Sequence, residues 1–147
     1  YYKIKQNIKM QNNEPQKNPR VVVVQKLYSY YLNKETEILF PKHRYKKFIK
    51  DIVNGTIERD ETLDILINND FKEDINQNVT SFMIKLIFKA ALYEFIYIHK
   101  NPIKVIITEY LKVADFFVEE SQKKYLNAIL DKMSKIRKND DKWICIN

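Results

Sequence analysis

The sequence predicts an all-α protein, and two observations carry that expectation. Glycine occurs once, at Gly55, and proline four times in 147 residues, whereas sheets joined by tight turns consume both for their backbone geometry. Apolar residues also recur at three- and four-residue intervals along most of the chain, the spacing that lines one helix face. A chain of this length holds one domain with one proper core.

The elements follow in order. Residues 1–19 lack periodicity, are rich in Asn, Gln and Lys and hold two prolines; they read as a flexible basic arm. The valine run Val21–Val24 suits a buried strand, but "QKLYSYYL" behind it does not alternate. A helix from Arg20 places Val21, Val24, Leu27, Tyr28, Tyr31 and Leu32 on one stripe, and valine disfavours helix by only about half a kcal/mol. Helix is therefore expected. Pro41 is expected to start the next helix as a first-turn residue. Tyr45, Phe48, Ile49, Ile52 and Val53 line it, and a break near Ile57–Asp60 separates it from Leu63, Leu66 and Ile67. The longest helix is expected from about Gln77 to Tyr97. Asn101 as cap and Pro102 as first-turn residue then open another, with Ile103, Ile106, Ile107, Tyr110, Leu111, Ala114 and Phe117 as its stripe. The last helix opens acidic at Glu119 and Glu120 and closes basic at Lys135, Arg137 and Lys138, matching its dipole. Tyr125, Leu126, Ile129, Leu130 and Met133 form its apolar side. The main domain thus covers 20–138, and 139–147 form a tail.

Several function classes recede. A lone cysteine, Cys145, has no partner for an internal disulfide, and no metal-ligand spacing is present. The stretch Phe82–Ile98 is nearly all apolar, but Lys85, Lys89 and Glu94 interrupt it. A lysine costs about 2.5–3.5 kcal/mol at a bilayer centre, so a buried central helix is expected and no membrane span. The chain opens on Tyr and shows no apolar signal segment, which makes the cytoplasm its expected home. Phosphate loops, nucleophile elbows and Cys–His pairs are missing; no enzyme, cofactor or metal is expected. His43 and His99 read as surface histidines. Glu58, Asp60, Glu61 and Asp64 read as a solvated acidic face. The net charge of +7 is uneven: residues 1–20 carry +4, residues 121–138 carry +5, and the remainder −2. Basic ends around a mildly acidic middle suit a polyanion-binding surface if the ends meet in the fold; solvated termini are the plain alternative.

Five pieces of sequence then carry a resemblance. "R-x-x-x-V-Q-x-L-Y-S" at Arg20–Ser29, "F-x-x-D-x-x-x-G" at Phe48–Gly55, "A-L-Y-E-F" at Ala91–Phe95, "P-x-K-V-x-I-x-E" at Pro102–Glu109 and "K-Y-L-N-A-I-L-D-K" at Lys124–Lys132 occur in order. Together they resemble the NusB transcription antitermination factors over roughly Arg20 to Lys135. The chain departs from the family pattern at Ile84, where relatives often carry an acid, and at Thr108, Val118 and Ala128. Its N-terminal arm uses lysine and asparagine where relatives use arginine.

The resemblance implies two small orthogonal helical bundles of about seven helices, with the valines in the first helix and Arg20 at its start near the last helix. It implies an adaptor that binds boxA-type single-stranded RNA together with the small-subunit ribosomal protein acting as NusE. That places it in the RNA polymerase antitermination complex, supporting ribosomal RNA transcription. Single-stranded RNA is held by cations along the phosphates and aromatic platforms for splayed bases. The expected RNA contacts are Arg20, Gln25, Lys123, Lys124, Tyr125 and Asn127; Tyr125 on the apolar stripe also suits the core, and Asn127 also suits a brace. Tyr28 and Glu94 are expected as structural or partner-facing residues, and Ile84 on the partner side. Two other readings share the fold: a dimeric or structural member without RNA binding, and the RNA-binding domain of a ribosomal RNA cytosine methyltransferase.

Overall fold

The computed structural model describes residues 14–73, 75 and 81–139. All regular structure among them is helical. A single turn, α1 (Glu14–Lys17), precedes α2 (Pro19–Leu32); α3 (Lys46–Glu58) and α4 (Asp60–Asp70) follow, separated by Arg59. Then come α5 (Phe82–Tyr93), α6 (Ile103–Phe117) and α7 (Glu120–Asn139). The basic arm expected over 1–19 lies mostly outside the described residues. Its last part forms α1 and the start of α2. Residues 140–147 of the expected tail lie outside them too.

The valine run is helical. Asn18 caps α2, its Oδ1 accepting from the backbone N–H of Arg20 at 3.0 Å and of Val21 at 3.4 Å, and Pro19 fills the first turn, where its missing N–H costs nothing. Val21, Val22, Val23, Val24 and Leu27 are all buried. Four valines in sequence cover every side of a helix, so α2 must be enclosed, and it packs on α3, α5 and α6. Burying such a side chain is worth about 1.5–3 kcal/mol, several times valine's helix penalty of about half a kcal/mol. Burial decides the conformation. Leu32, expected on the stripe, is instead 59% exposed at the helix end, beyond the surrounding helices.

At the centre, α5 packs on α2, α3 and α4 from one part of the chain and on α6 and α7 from the other. Eight of its twelve residues are buried, which accounts for its near-continuous apolar sequence. Ser81 holds an extended backbone and accepts the Ile84 N–H at 3.2 Å. The helix therefore starts at Phe82; the expected stretch 77–80 lies outside the described residues. Past Tyr93 the helix widens into a π-helical turn, Glu94–Ile98, ending at His99 in the left-handed region with φ 57°.

Two other starts differ from expectation. Pro41 lies outside any helix, and α3 begins at Lys46 after a turn closed by the Lys46 N–H to His43 carbonyl bond. Pro102, with ψ 151°, is itself the cap position of α6. Asn101 turns inward instead, its Nδ2 donating to Glu94 Oε1 at 3.3 Å. Gly55 on α3 has a clear steric reason: a Cβ there would lie 1.9 Å from the Tyr93 hydroxyl oxygen. The glycine of the "F-x-x-D-x-x-x-G" segment is where α5's tyrosine lies against the α3 backbone.

Candidate nucleic-acid and partner interface

Arg20, expected to reach RNA, is buried at 8% exposure. Its Nε donates to Glu94 Oε2 at 2.9 Å and its Nη2 to Glu94 Oε1 at 2.5 Å, a two-point guanidinium–carboxylate pairing. The guanidinium also lies 5.0 Å from the Phe48 ring centroid and 5.7 Å from that of Tyr110. Burial by itself would lower the Arg20 pKa, but the Glu94 hydrogen bonds and charge outweigh it and hold it above its ordinary value. Tyr110, fully buried against this pair, has its phenol pushed well up by burial and by the Glu94 charge. Glu94, expected as structural or partner-facing, is 1% exposed. Both charges are internal struts joining α2, α5 and α6. Ile84, also expected on the partner side, is 1% exposed, because the start of α5 turns it inward. None of these three side chains offers surface to a ligand.

The first turns of α7 are different. Lys124 and Asn127 are exposed and three residues apart, hence neighbours on one helix face. Tyr125 between them is half-buried and packs against the core's edge. Lys123 is held by Asp115 at the end of α6, at 2.7 Å; that hydrogen bond raises the Lys123 pKa. A helix bearing a fixed lysine, an exposed lysine, an exposed amide and a partly exposed ring presents the group types that grip single-stranded RNA. Gln25 sits half-buried on α2.

A second face is aromatic. Tyr28 and Tyr31 of α2 approach Phe82 of α5, with ring centroids 5.7 and 6.4 Å apart, and Phe82 is 46% exposed. Beside them a cleft of about 740 Å³ runs between α4 and α5, lined in part by Tyr31, Ile67, Phe82 and Lys85. An earlier expected helix start hides that Phe82 is the first, exposed residue of α5, and Tyr31 reads from the sequence only as part of the α2 stripe. The acidic cluster also departs from expectation. Lys89 of α5 pairs with Asp60 at 2.8 Å and Asp64 at 2.7 Å, and the Tyr31 hydroxyl donates to Asp60. These acids tie α4 to α2 and α5 rather than forming only a solvated face. Among the described residues no group of three His, Cys, Asp or Glu is arranged to hold a metal, and no helix is long and apolar enough to cross a membrane.

Comparison with known proteins accords with this architecture. The NusB family model matches residues 16–135. The chain is 27% identical over 107 residues to the transcription antitermination protein NusB of Mesorhizobium japonicum, covering 73% of this chain and 69% of the relative. It is 30% identical over 88 residues to that of Sinorhizobium fredii, 60% and 55% of the two chains. It is 31% identical over 84 residues to that of Bartonella henselae, 57% and 53%. The matched stretch thus spans little more than half of the latter two relatives. No solved structure matches the chain. The family match covers most of the chain and the all-helical core accommodates its motifs: this protein belongs to the NusB family.

Proposed function

We propose that the chain is a transcription antitermination factor, an adaptor and not an enzyme, acting in the cytoplasm as part of an RNA polymerase antitermination complex. It holds boxA-type single-stranded RNA on the outer face of the first turns of α7. A small-subunit ribosomal protein in the NusE role docks on the aromatic face of Tyr28, Tyr31 and Phe82. The relatives' names support the process. The observation that carries the RNA site is the placement of exposed Lys124 and Asn127 on either side of half-buried Tyr125. Cations neutralise phosphates, the amide reads base edges or 2′-hydroxyls, and the ring edge offers a stacking platform. Arg20 and Glu94 act indirectly, by fixing α2 against α5 and α6.

The test is a titration of labelled boxA-type RNA with the full chain, with and without the ribosomal protein, followed by gel filtration. The reading predicts a complex of one copy of each protein that binds RNA more tightly than either alone. A homodimer that binds neither RNA nor ribosomal protein overturns it in favour of a structural family member.

A further inference from the structure

We propose that the segment Lys42–Lys50, together with Lys17, is a second nucleic-acid track that holds the sugar–phosphate backbone of single-stranded RNA outside the α7 face. The proposal rests on the RNA-adaptor reading and extends it to a surface on a different helix. Lys42, Arg44, Lys46, Lys47 and Lys50 fall within nine residues that contain no Asp or Glu, and all five are exposed. No ion pair joins any of them to a carboxylate among the described residues. Several lysines elsewhere are matched: Lys89, Lys112, Lys123 and Lys135 pair with acids. A lysine-rich composition alone would scatter cations among acids, as it does on those helices. Here they are concentrated, with the next acid in sequence only at Asp51.

The surface is also shaped. Gln16, Lys17, Lys42, His43, Arg44 and Tyr45 line a groove of about 550 Å³. His43 staples its two walls: one ring nitrogen, Nε2, lies 2.9 Å from the Gln16 carbonyl oxygen, and Nδ1 accepts the Tyr45 N–H at 2.9 Å. Because Nδ1 must accept, the proton sits on Nε2 and is donated to Gln16. The groove leads to the start of α3, a helix of 13 residues with no acid in its first turn and no side-chain cap on its N–H groups. Those N–H groups and the helix dipole add to the positive field. Lys46, Lys47 and Lys50 continue it along the helix at three- and four-residue spacing, on neighbouring positions. Tyr45 is 46% exposed at the centre, with the Arg44 guanidinium 5.4 Å from its ring centroid. Cations flanking an exposed ring match a strand that offers alternating phosphates and base faces. A lipid surface fits less well, because α3 exposes no fully apolar face: Ile49, Ile52 and Val53 are buried and Phe48 and Ile57 half-buried against the core.

The test uses the full chain and the variant K42Q/R44Q/K46Q/K47Q, which alters only exposed side chains. The probes are a boxA-type RNA of about 12 nucleotides, within the range one small domain covers, and the same RNA extended by about 12 uridines. The wild type is expected to bind the extended RNA about tenfold more tightly than the short one, and the variant to lose that gain. The short RNA is bound by both proteins within about twofold. On the extended RNA the slope of log K against log[salt] becomes less steep by about 0.7 for each phosphate contact removed. Equal melting temperatures show that the fold is retained. Equal affinities and slopes for both proteins on the extended RNA overturn the track. So does a charge-dependent loss of binding to anionic vesicles or to a polyglutamate peptide with RNA binding unchanged. If the wild type ignores the short RNA yet binds the extended one, and the variant does not, the track stands while the α7 site falls.

Discussion

Arg20 and Arg44 carry the same guanidinium and meet opposite fates. Arg20 is enclosed by α2, α3, α5 and α6 and is neutralised by a buried carboxylate at two points. Arg44 stands in water beside Tyr45 with cations for neighbours. In water a charge is satisfied by solvent and remains available to a ligand; in the interior it is bound to its own chain. A tally of basic residues therefore overstates the charge a ligand could meet, and the difference separates charges that hold the fold from charges that face solvent.

The sharpest way to break that comparison is to remove the internal partner. Glu94→Ala leaves a buried, unpaired guanidinium, for which a stability loss of about 3–5 kcal/mol is expected. Denaturant unfolding measures it. A loss below about 1 kcal/mol, the range of surface pairs, would place Arg20 in solvent contact after all.

A smaller effect is expected at the contact of α3 with α5. Gly55→Ala gains helix propensity of roughly 1 kcal/mol but drives a methyl into the Tyr93 ring, and overpacking costs about 1–3 kcal/mol. A net loss of about 1 kcal/mol follows. The same change in a Tyr93→Ala background should become stabilising, and a double-mutant cycle reads the coupling directly. Additive effects would mean that the ring does not oppose the methyl.

Smallest is the acid network at the end of α2. Burial alone would raise the Asp60 carboxyl, but hydrogen bonds from Lys89 and Tyr31 hold it below its ordinary 3.8. A carboxylate depressed in the folded state stabilises fully above its unfolded pKa and loses that contribution as pH falls through its lower folded value. Thermal melts of Asp60→Asn should thus fall below wild type at neutral pH and converge with it in acid. A gap that widens as pH falls would contradict the sign.

How much of this was legible in the sequence follows from the physics of each feature. The helical class, the α2 stripe and the break at Arg59 came from periodicity and burial, which are local and additive. Helix starts were less accessible. Pro41 and Pro102 both have a proline's fixed φ and both suit a first turn, yet His43's two hydrogen bonds and Asn101's contact with Glu94 decided where α3 and α6 begin. The fates of Arg20, Ile84 and Glu94 depended on which helices surround them, a tertiary fact without a local signal. Arg20 and Glu94 are 74 residues apart. The α7 residues were easier to place, because Leu126, Ile129, Leu130 and Met133 fix the buried side of the helix and leave Lys124 and Asn127 outward.

The division between structural and RNA-facing charge is tested most directly by RNA affinity as a function of salt, measured for wild type, Lys124→Glu and Arg20→Lys. Lys124→Glu is expected to weaken boxA-type RNA binding and to make the log K against log[salt] slope less steep by about 0.7 or more, with an unchanged melting temperature. Arg20→Lys keeps the charge but loses the two-point geometry, so it should lower the melting temperature and leave the slope as it is. A slope that responds to Arg20→Lys and ignores Lys124→Glu would contradict the account.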